Sequence, residues 1–458
     1  MALMLGLGLG IGVAQTAPLR RYSIGGKAPA VVADYSSGIY GLNGTPAVFN
    51  GLFSFSRLSA AWKLNALGHW VKALAGEPRT GHHIWKDGKL VPAGQLVESA
   101  TRTQEFSYSK LDDASLGSTF QTLGSDVTIQ GGSTDIVTEV VATGTENGIP
   151  YIDWSISGTN NAGTTQFYNI TDNRQLVTSP GDTYTISAYL KLISGSLGAS
   201  TGTVQLYGHY RDAGNALIGQ ANRDVTSDIT GDFQRLSGGG QAAPAGTTNI
   251  AAKGLFVRVP DGNSINIVLR IGLPQVESGG VSTSPIVSTG SPISVAAESL
   301  QIDTPALSSA FDGAMPEELT LLINGTVTYA DEDSFNTVKL IEWRVSSDDY
   351  LEISLDTSGA ETGEVNFKSN LGGVFTGAQS APDAYSPGTE VHFSIALIVT
   401  ATAIEGFCNG VSTGQIAHGG MADLLSAPTK LFPVGNATLK DIRLWSEALP
   451  AADLLQAI

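Results

Sequence analysis

Two short runs in the middle of the chain place side chains suited to sugar recognition at alternate positions. Between residues 181 and 192, Tyr184, Ile186, Ala188, Leu190 and Leu192 recur at every second place. A strand that buries them turns Tyr189 and Lys191 outward. In the next run Val204 and Leu206 set the buried parity, so Tyr207, His209 and Arg211 face out. A sugar ring offers a flat apolar face edged with hydroxyls, and it is held by an aromatic ring with polar neighbours. These five residues are therefore the candidate carbohydrate-binding set. Cross-strand pairing on any exposed sheet also favours tyrosine, and that plainer reading stands beside the functional one.

Other reactive groups point to no chemistry of their own. His69, His82 and His83 lie close in sequence, but adjacent residues of a strand point to opposite faces, so His82 and His83 cannot readily share an ion. The acidic pairs at Asp331 and Asp333 and at Asp348 and Asp349 could offer oxygen ligands to calcium, yet such loops are usually only solvated. No metal site and no cofactor are expected. Glycosidases need two carboxylates about 5–10 Å apart across the sugar. Neither Glu342 nor the Glu352 and Asp356 pair sits in the E-x-D-x-x-E strand pattern such enzymes use. No G-x-S-x-G, H-E-x-x-H or phosphate loop is present either. The expectation is a protein without catalytic residues.

The elements that must position the candidate residues are strands. Glycine is abundant at 55 residues and only 15% of residues are charged. Together with recurrent Ser and Thr, this suits many short strands joined by tight turns. Ile152, Trp154 and Ile156 share one face of a strand, the run from residue 265 to 271 closes the first block, and Asn409-Gly410 marks a hairpin in the second. The segment from Trp85 to Leu90 reads as a hairpin turning at Asp87-Gly88. The net charge of −17 argues against nucleic-acid binding and against docking on an anionic membrane. Cys408, the single cysteine, rules out an intramolecular disulfide and reads as a small buried hydrophobe.

At the N-terminus, Leu5, Leu7, Leu9 and Ile11 alternate with glycine. The run is too short to span a bilayer, so no membrane insertion is expected. It reads either as a secretory leader or, the favoured reading, as a strand whose bare glycine face lets a partner's sheet edge approach.

The stretch from residue 273 to 302 joins two β-rich blocks through Pro274, Pro285 and Pro292, and by composition it is an extended connector. Its QVE (275–277), TSPI (283–286) and VAAESL (295–300) segments, with FSFSR (53–57), GEPR (76–79), QLVE (95–98) and TRT (101–103) upstream, resemble a junction of tailed-phage and prophage virion proteins. In that family it links a carbohydrate-binding-module-like jelly roll to a concanavalin-A-like (laminin-G-like) sandwich. The family usually has T-N-L where TRT stands. The GDTYTISAYLK run (181–191) is similar to the central strand of the jelly roll, and GDFQRL (231–236) holds Phe233 where that family has Trp. The ending from residue 439 to 455 looks like the closing strand and helical turn of concanavalin-A-like domains.

The resemblance implies an all-β protein with an N-terminal extended anchor and two antiparallel β-sandwich domains. The expected parts are an anchoring arm over 1–52, a β-hairpin lead-in over 53–102, the jelly roll over 103–280, a linker over 281–299 and the second sandwich over 300–458. It further implies a virion component on the outer surface, displayed as a tail or head fibre and attaching to host glycans. Other virion proteins would meet it through its N-terminal arm. A homotrimer is expected, because isolated edge strands gain by pairing between copies. A capsid decoration protein without glycan binding and a polysaccharide depolymerase are the alternatives.

Overall fold

The computed structural model describes residues 17–86, 89–130, 133, 135–331 and 336–457. The anchoring run with Leu5, Leu7, Leu9 and Ile11 lies outside these residues, as do the turn residues Asp87 and Gly88. The protein is all-β, built from antiparallel sheets that stack as two sandwiches.

In the jelly roll, a five-stranded sheet runs in the order Ile136–Glu146, Ile149–Thr159, Ser264–Ser278, Tyr184–Ser194 and Gln234–Gly239. It packs on a seven-stranded sheet whose centre is Gln166–Asp172, Asn249–Val259, Thr203–Arg211 and Leu217–Asp224. Alternation explains the packing. Ile152, Trp154, Ile156, Ile186, Ala188 and Leu190 from the first sheet meet Tyr168, Val204, Leu206 and Tyr210 from the second in one core.

The second sandwich is larger than its own sequence block. One sheet centres on Leu319–Tyr329, Gly388–Val399 and Asn436–Trp445; the other includes Tyr350–Asp356, Thr337–Arg344 and Thr429–Val434. Both also take strands from the first hundred residues. Val31–Asp34 pairs antiparallel with Asn436–Trp445, matching Val31 to Leu444 and Asp34 to Asp441. Phe53–Ser56 pairs with Ser299–Ile302, and Lys89–Glu98 pairs with the start of Asn436–Trp445. The jelly roll is thus inserted into a sandwich assembled from both sides of it.

This corrects the expected arm. Residues 17–52 are not a free chain. Val31, Val32 and Ala33 are buried because their short strand pairs with Asn436–Trp445, although it is too short to stand out in sequence, while Leu19 and Tyr22 pack on Val32 and Ile24 packs on Trp445 and Leu454. The lead-in hairpin forms, with Trp85 opposite Leu90, but it extends the second sandwich rather than preceding it. The linker is corrected likewise. Ile293–Val295 pairs with Arg102–Gln104, and Ser284, Ile286 and Ser288 are buried. The Gln104 side-chain amide donates to the backbone carbonyls of Pro274 and Ile286, and the Gln275 side-chain Oε1 accepts the Ile286 N–H at 2.8 Å.

The motifs that carry the family resemblance converge here on one buried ion cluster. Glu298 receives Arg57 at 2.5 Å and Arg79 through two nitrogens at 2.8 and 2.5 Å. Glu98 receives Arg79 at 2.6 Å and Arg102 at 2.5 Å, and it also accepts the Ser284 N–H and hydroxyl, each at 2.7 Å. Burial opposes the charge on Glu98, but Arg102 and Arg79 together with the Ser284 donors hold its carboxyl well below the usual range. Burial likewise works against the Arg79 cation, yet the Glu98 and Glu298 carboxylates keep its pKa raised. Arginine suits such a site because its planar fork can bind two carboxylates at once.

Candidate functional site

The structure divides the five candidate residues between two surfaces. Tyr189 and Lys191 sit on the outer face of the five-stranded sheet, whereas Tyr207, His209 and Arg211 sit on the outer face of the opposite sheet. The expected parity holds in both strands, since none of the five joins the core between the sheets. The expected exposure fails for Tyr189 and Tyr207, which are buried, while Lys191, His209 and Arg211 are partly exposed.

Tyr189 is 6% exposed, packed with Trp70 of the lead-in and with Ile149, Phe233 and Leu273. Its ring centroid is 5.6 Å from that of Phe233, and Trp70 packs against the same cluster. Burial pushes the phenol upward. Lys191 is held by Glu146 at 2.8 Å. Both residues belong to the wall where the lead-in meets the jelly roll. Arg211 donates to the Asn215 carbonyl at 2.8 Å, tying its own hairpin turn.

Tyr207 and His209 do come together, with ring centroids 4.9 Å apart. Tyr207 is 3% exposed, because its ring lies between His209 and Phe256 and its hydroxyl is hydrogen-bonded to Thr171. Burial pushes that phenol up to about 12. Burial, and then the nearby Arg211 cation, lower the His209 pKa, so the imidazole is neutral at neutral pH.

The row of rings continues beyond the predicted residues. Phe256 lies 4.9 Å from Tyr207 and 5.2 Å from Phe167, the latter edge-to-face at 87°. Phe167, Phe256, Tyr207 and His209 therefore form one strip across three neighbouring strands. Amides flank it. Asn169 stands opposite Phe256 and its side-chain amide donates to the Gln130 side-chain Oε1 at 2.8 Å, while Asn222 and Gln220 stand opposite Tyr207 and His209. Phe167 is 45% exposed. The strip offers apolar faces and amide partners, with Arg258 standing opposite Phe167 at one end and Arg211 beside His209 at the other, which is chemistry for stacking and hydrogen-bonding a sugar. Phe167, Phe256 and Asn169 were missed by the sequence reading. A signal was available: Phe256 falls between the buried Leu255 and Val257, an outward aromatic of the same kind as Tyr207.

A second concavity, of about 840 Å3, opens where the lead-in, the jelly roll and the second sandwich meet. Trp70, Tyr189 and Phe233 form one wall, and Thr328, Thr389 and Glu390 face them from the other sandwich. Burial pushes the Glu390 carboxyl up to about 7. His82 lines the same space, but it is buried, its Nδ1 accepts the Leu64 N–H at 3.1 Å, and burial drives its pKa down to about 3. Among the described residues, no cluster of three or more His, Cys, Asp or Glu could hold a metal ion, and no helix is long and apolar enough to cross a membrane.

Fold and faces together define a protein of two β-sandwiches, one carrying an aromatic strip. No family model matches the chain, and no curated protein matches it. Among solved structures, the NanB sialidase from Streptococcus pneumoniae is 13% identical, with a TM-score of 0.27, over 34% of this chain and 26% of that one. The CBM40 of the Ruminococcus gnavus IT-sialidase is 13% identical, with a TM-score of 0.25, over 32% of this chain and 86% of that one. Domains LG4-5 of the mouse laminin alpha1 chain are 12% identical, with a TM-score of 0.23, over 64% and 92%. The chain spans about a quarter of the length of the NanB chain it resembles. These likenesses concern the β-sandwich build alone.

Proposed function

We propose that this protein is a non-enzymatic component of a phage virion, displayed on the outer surface as a tail or head fibre, that attaches to host glycans through the strip on its jelly roll. The observation that carries the glycan reading is the unbroken row Phe167, Phe256, Tyr207 and His209 with its bordering amides. The virion assignment rests on the junction motifs, whose Arg57, Arg79, Glu98 and Glu298 are bound into a single buried cluster. In this reading Phe167, Phe256 and His209 touch the sugar, while the covered Tyr207 holds them in place. Shallow sites of this kind bind weakly one by one, and several copies acting together supply useful avidity.

The non-enzymatic reading is supported by the state of the facing carboxylates Glu342 and Glu352. Lys339 reaches both at 2.8 Å, and Lys430 and Lys368 add contacts of 2.9 and 3.3 Å. Burial opposes their ionisation, yet these lysines hold both carboxyls lowered, which suits neither for the role of a general acid. The test is adsorption of particles to host cells with Phe256→Ala and Phe167→Ala. Adsorption should fall while the protein stays folded. Undiminished adsorption by a folded double variant would remove the strip and favour a decoration protein without a glycan site. Release of reducing sugar from host polysaccharide would instead favour a depolymerase.

A further inference from the structure

We infer that the cleft between the two sandwiches is a second, separate binding site, and that it takes an uncharged oligosaccharide. At about 840 Å3 it falls within the size range of small-molecule sites. Its cations are already engaged: Lys191 pairs with Glu146, Arg223 with Asp228, and Arg235 donates to the Ser187 hydroxyl at 2.9 Å, which leaves the acidic Asp232 and Glu390 lining the space. The aromatic edges of Trp70 and Phe233 and the hydroxyl of Thr389 remain to face the space, with Trp85 at the rim, 57% exposed.

Glu390 is the residue that asks for a ligand. It is a non-glycine in the left-handed region, at φ +53°, fixed there by its N–H donating to the Thr328 hydroxyl at 3.0 Å. Its half-buried carboxyl receives no hydrogen bond among the described residues. Glu390 sits in the bulge where Leu319–Tyr329 and Gly388–Val399 shift register, and it lines the cleft with its carboxyl unpartnered among the described residues, as bulges beside binding sites re-aim side chains. An acidic sugar would meet this carboxyl unscreened. The hydroxyls of a neutral sugar can donate to it when ionised or accept from it when protonated.

The site has its own spectroscopic reporter. Trp70 and Trp85 line the cleft and the jelly-roll strip contains no tryptophan; Trp154, Trp343 and Trp445 are fully buried, and Trp62, with the Lys72 ammonium over its ring, lies outside the lining. The experiment titrates the full chain with maltotriose, cellotriose and chitotriose, and with trigalacturonate as the acidic comparison, following tryptophan emission. At least one neutral trisaccharide should shift the emission and trigalacturonate should not. Thr389→Phe, which fills the space, should abolish the shift. Glu390→Gln should weaken binding roughly tenfold through loss of a hydrogen bond to a charged group. Phe256→Ala should leave the titration unchanged even where it abolishes adsorption, so failure of the strip and failure of the cleft read differently. No shift with any neutral trisaccharide, an equal shift with trigalacturonate, or a shift that survives Thr389→Phe would each overturn the inference.

Discussion

Arg79 and Glu298, 219 residues apart, are joined by two hydrogen bonds of 2.8 and 2.5 Å with neither side chain exposed. Arg79 belongs to the lead-in and Glu298 to the end of the linker, so the jelly roll is inserted between the two partners. The contact fastens both crossings into that domain at one point. Breaking one partner of a buried ion pair leaves an uncompensated charge, at a cost of about 3–5 kcal/mol. Glu298→Gln should therefore lower unfolding free energy by about that amount in urea titrations. A loss below about 1 kcal/mol would show that Arg57 and Arg79 find other partners.

The same cluster predicts acid sensitivity. The Glu98 carboxyl is held below its ordinary value of 4.5 in the folded protein. Its contribution to stability is then fully present above about pH 4.5 and is lost as pH falls through the lower folded value. Thermal midpoints measured from pH 6 downward should drop steeply in the parent. In Glu98→Gln they should start lower and fall less.

Glu390 predicts the opposite slope. Its folded pKa of about 7 is above the ordinary 4.5. Stability from the neutral form is present below about pH 4.5 and is lost as pH rises through about 7. Glu390→Gln should match the parent at pH 4 and exceed it at pH 8. Equal midpoints at pH 8 would mean the carboxyl is solvated in solution.

Tyr189 should behave as a core residue. Truncating a buried aromatic costs about 3–5 kcal/mol, so Tyr189→Ala should destabilise markedly and loosen the contact with Trp70 and Phe233. Tyr207→Phe removes only the hydrogen bond to Thr171 and should cost about 1 kcal/mol. Denaturant titration of the two variants separates these cases. A neutral Tyr189→Ala would mean that the lead-in does not cover this face in solution.

Anchoring and assembly can be checked independently of any glycan. Deleting residues 1–16 should leave a folded protein that no longer joins the particle, and mass measurement of the full chain at micromolar concentration should give a trimer. Normal incorporation of the truncated chain, or monomer alone, would count against the fibre reading.

Much of the fold was legible in the sequence because strand alternation is a local property. The parity of Ile186 and Leu190, and of Val204 and Leu206, correctly put Tyr189 and Tyr207 on the outer faces of their sheets. The Asn409-Gly410 turn, with φ of +47° and +81°, and the burial of Cys408 followed from equally local rules. What covers an outer face is decided elsewhere in the chain. Trp70 closes over Tyr189 beside Phe233 only because the lead-in docks there, and Phe256 closes over Tyr207 only because the strands Thr203–Arg211 and Asn249–Val259 pair, with a shift of register between Tyr207 and His209. The same holds for Val31–Asp34, whose four residues carry too little pattern to reveal their place between Ile39–Leu42 and Asn436–Trp445. The ion cluster shows both sides of this division: its Arg and Glu residues were visible as motifs spread over some 240 positions, and only folding, by excluding water from around them, made them a single structure.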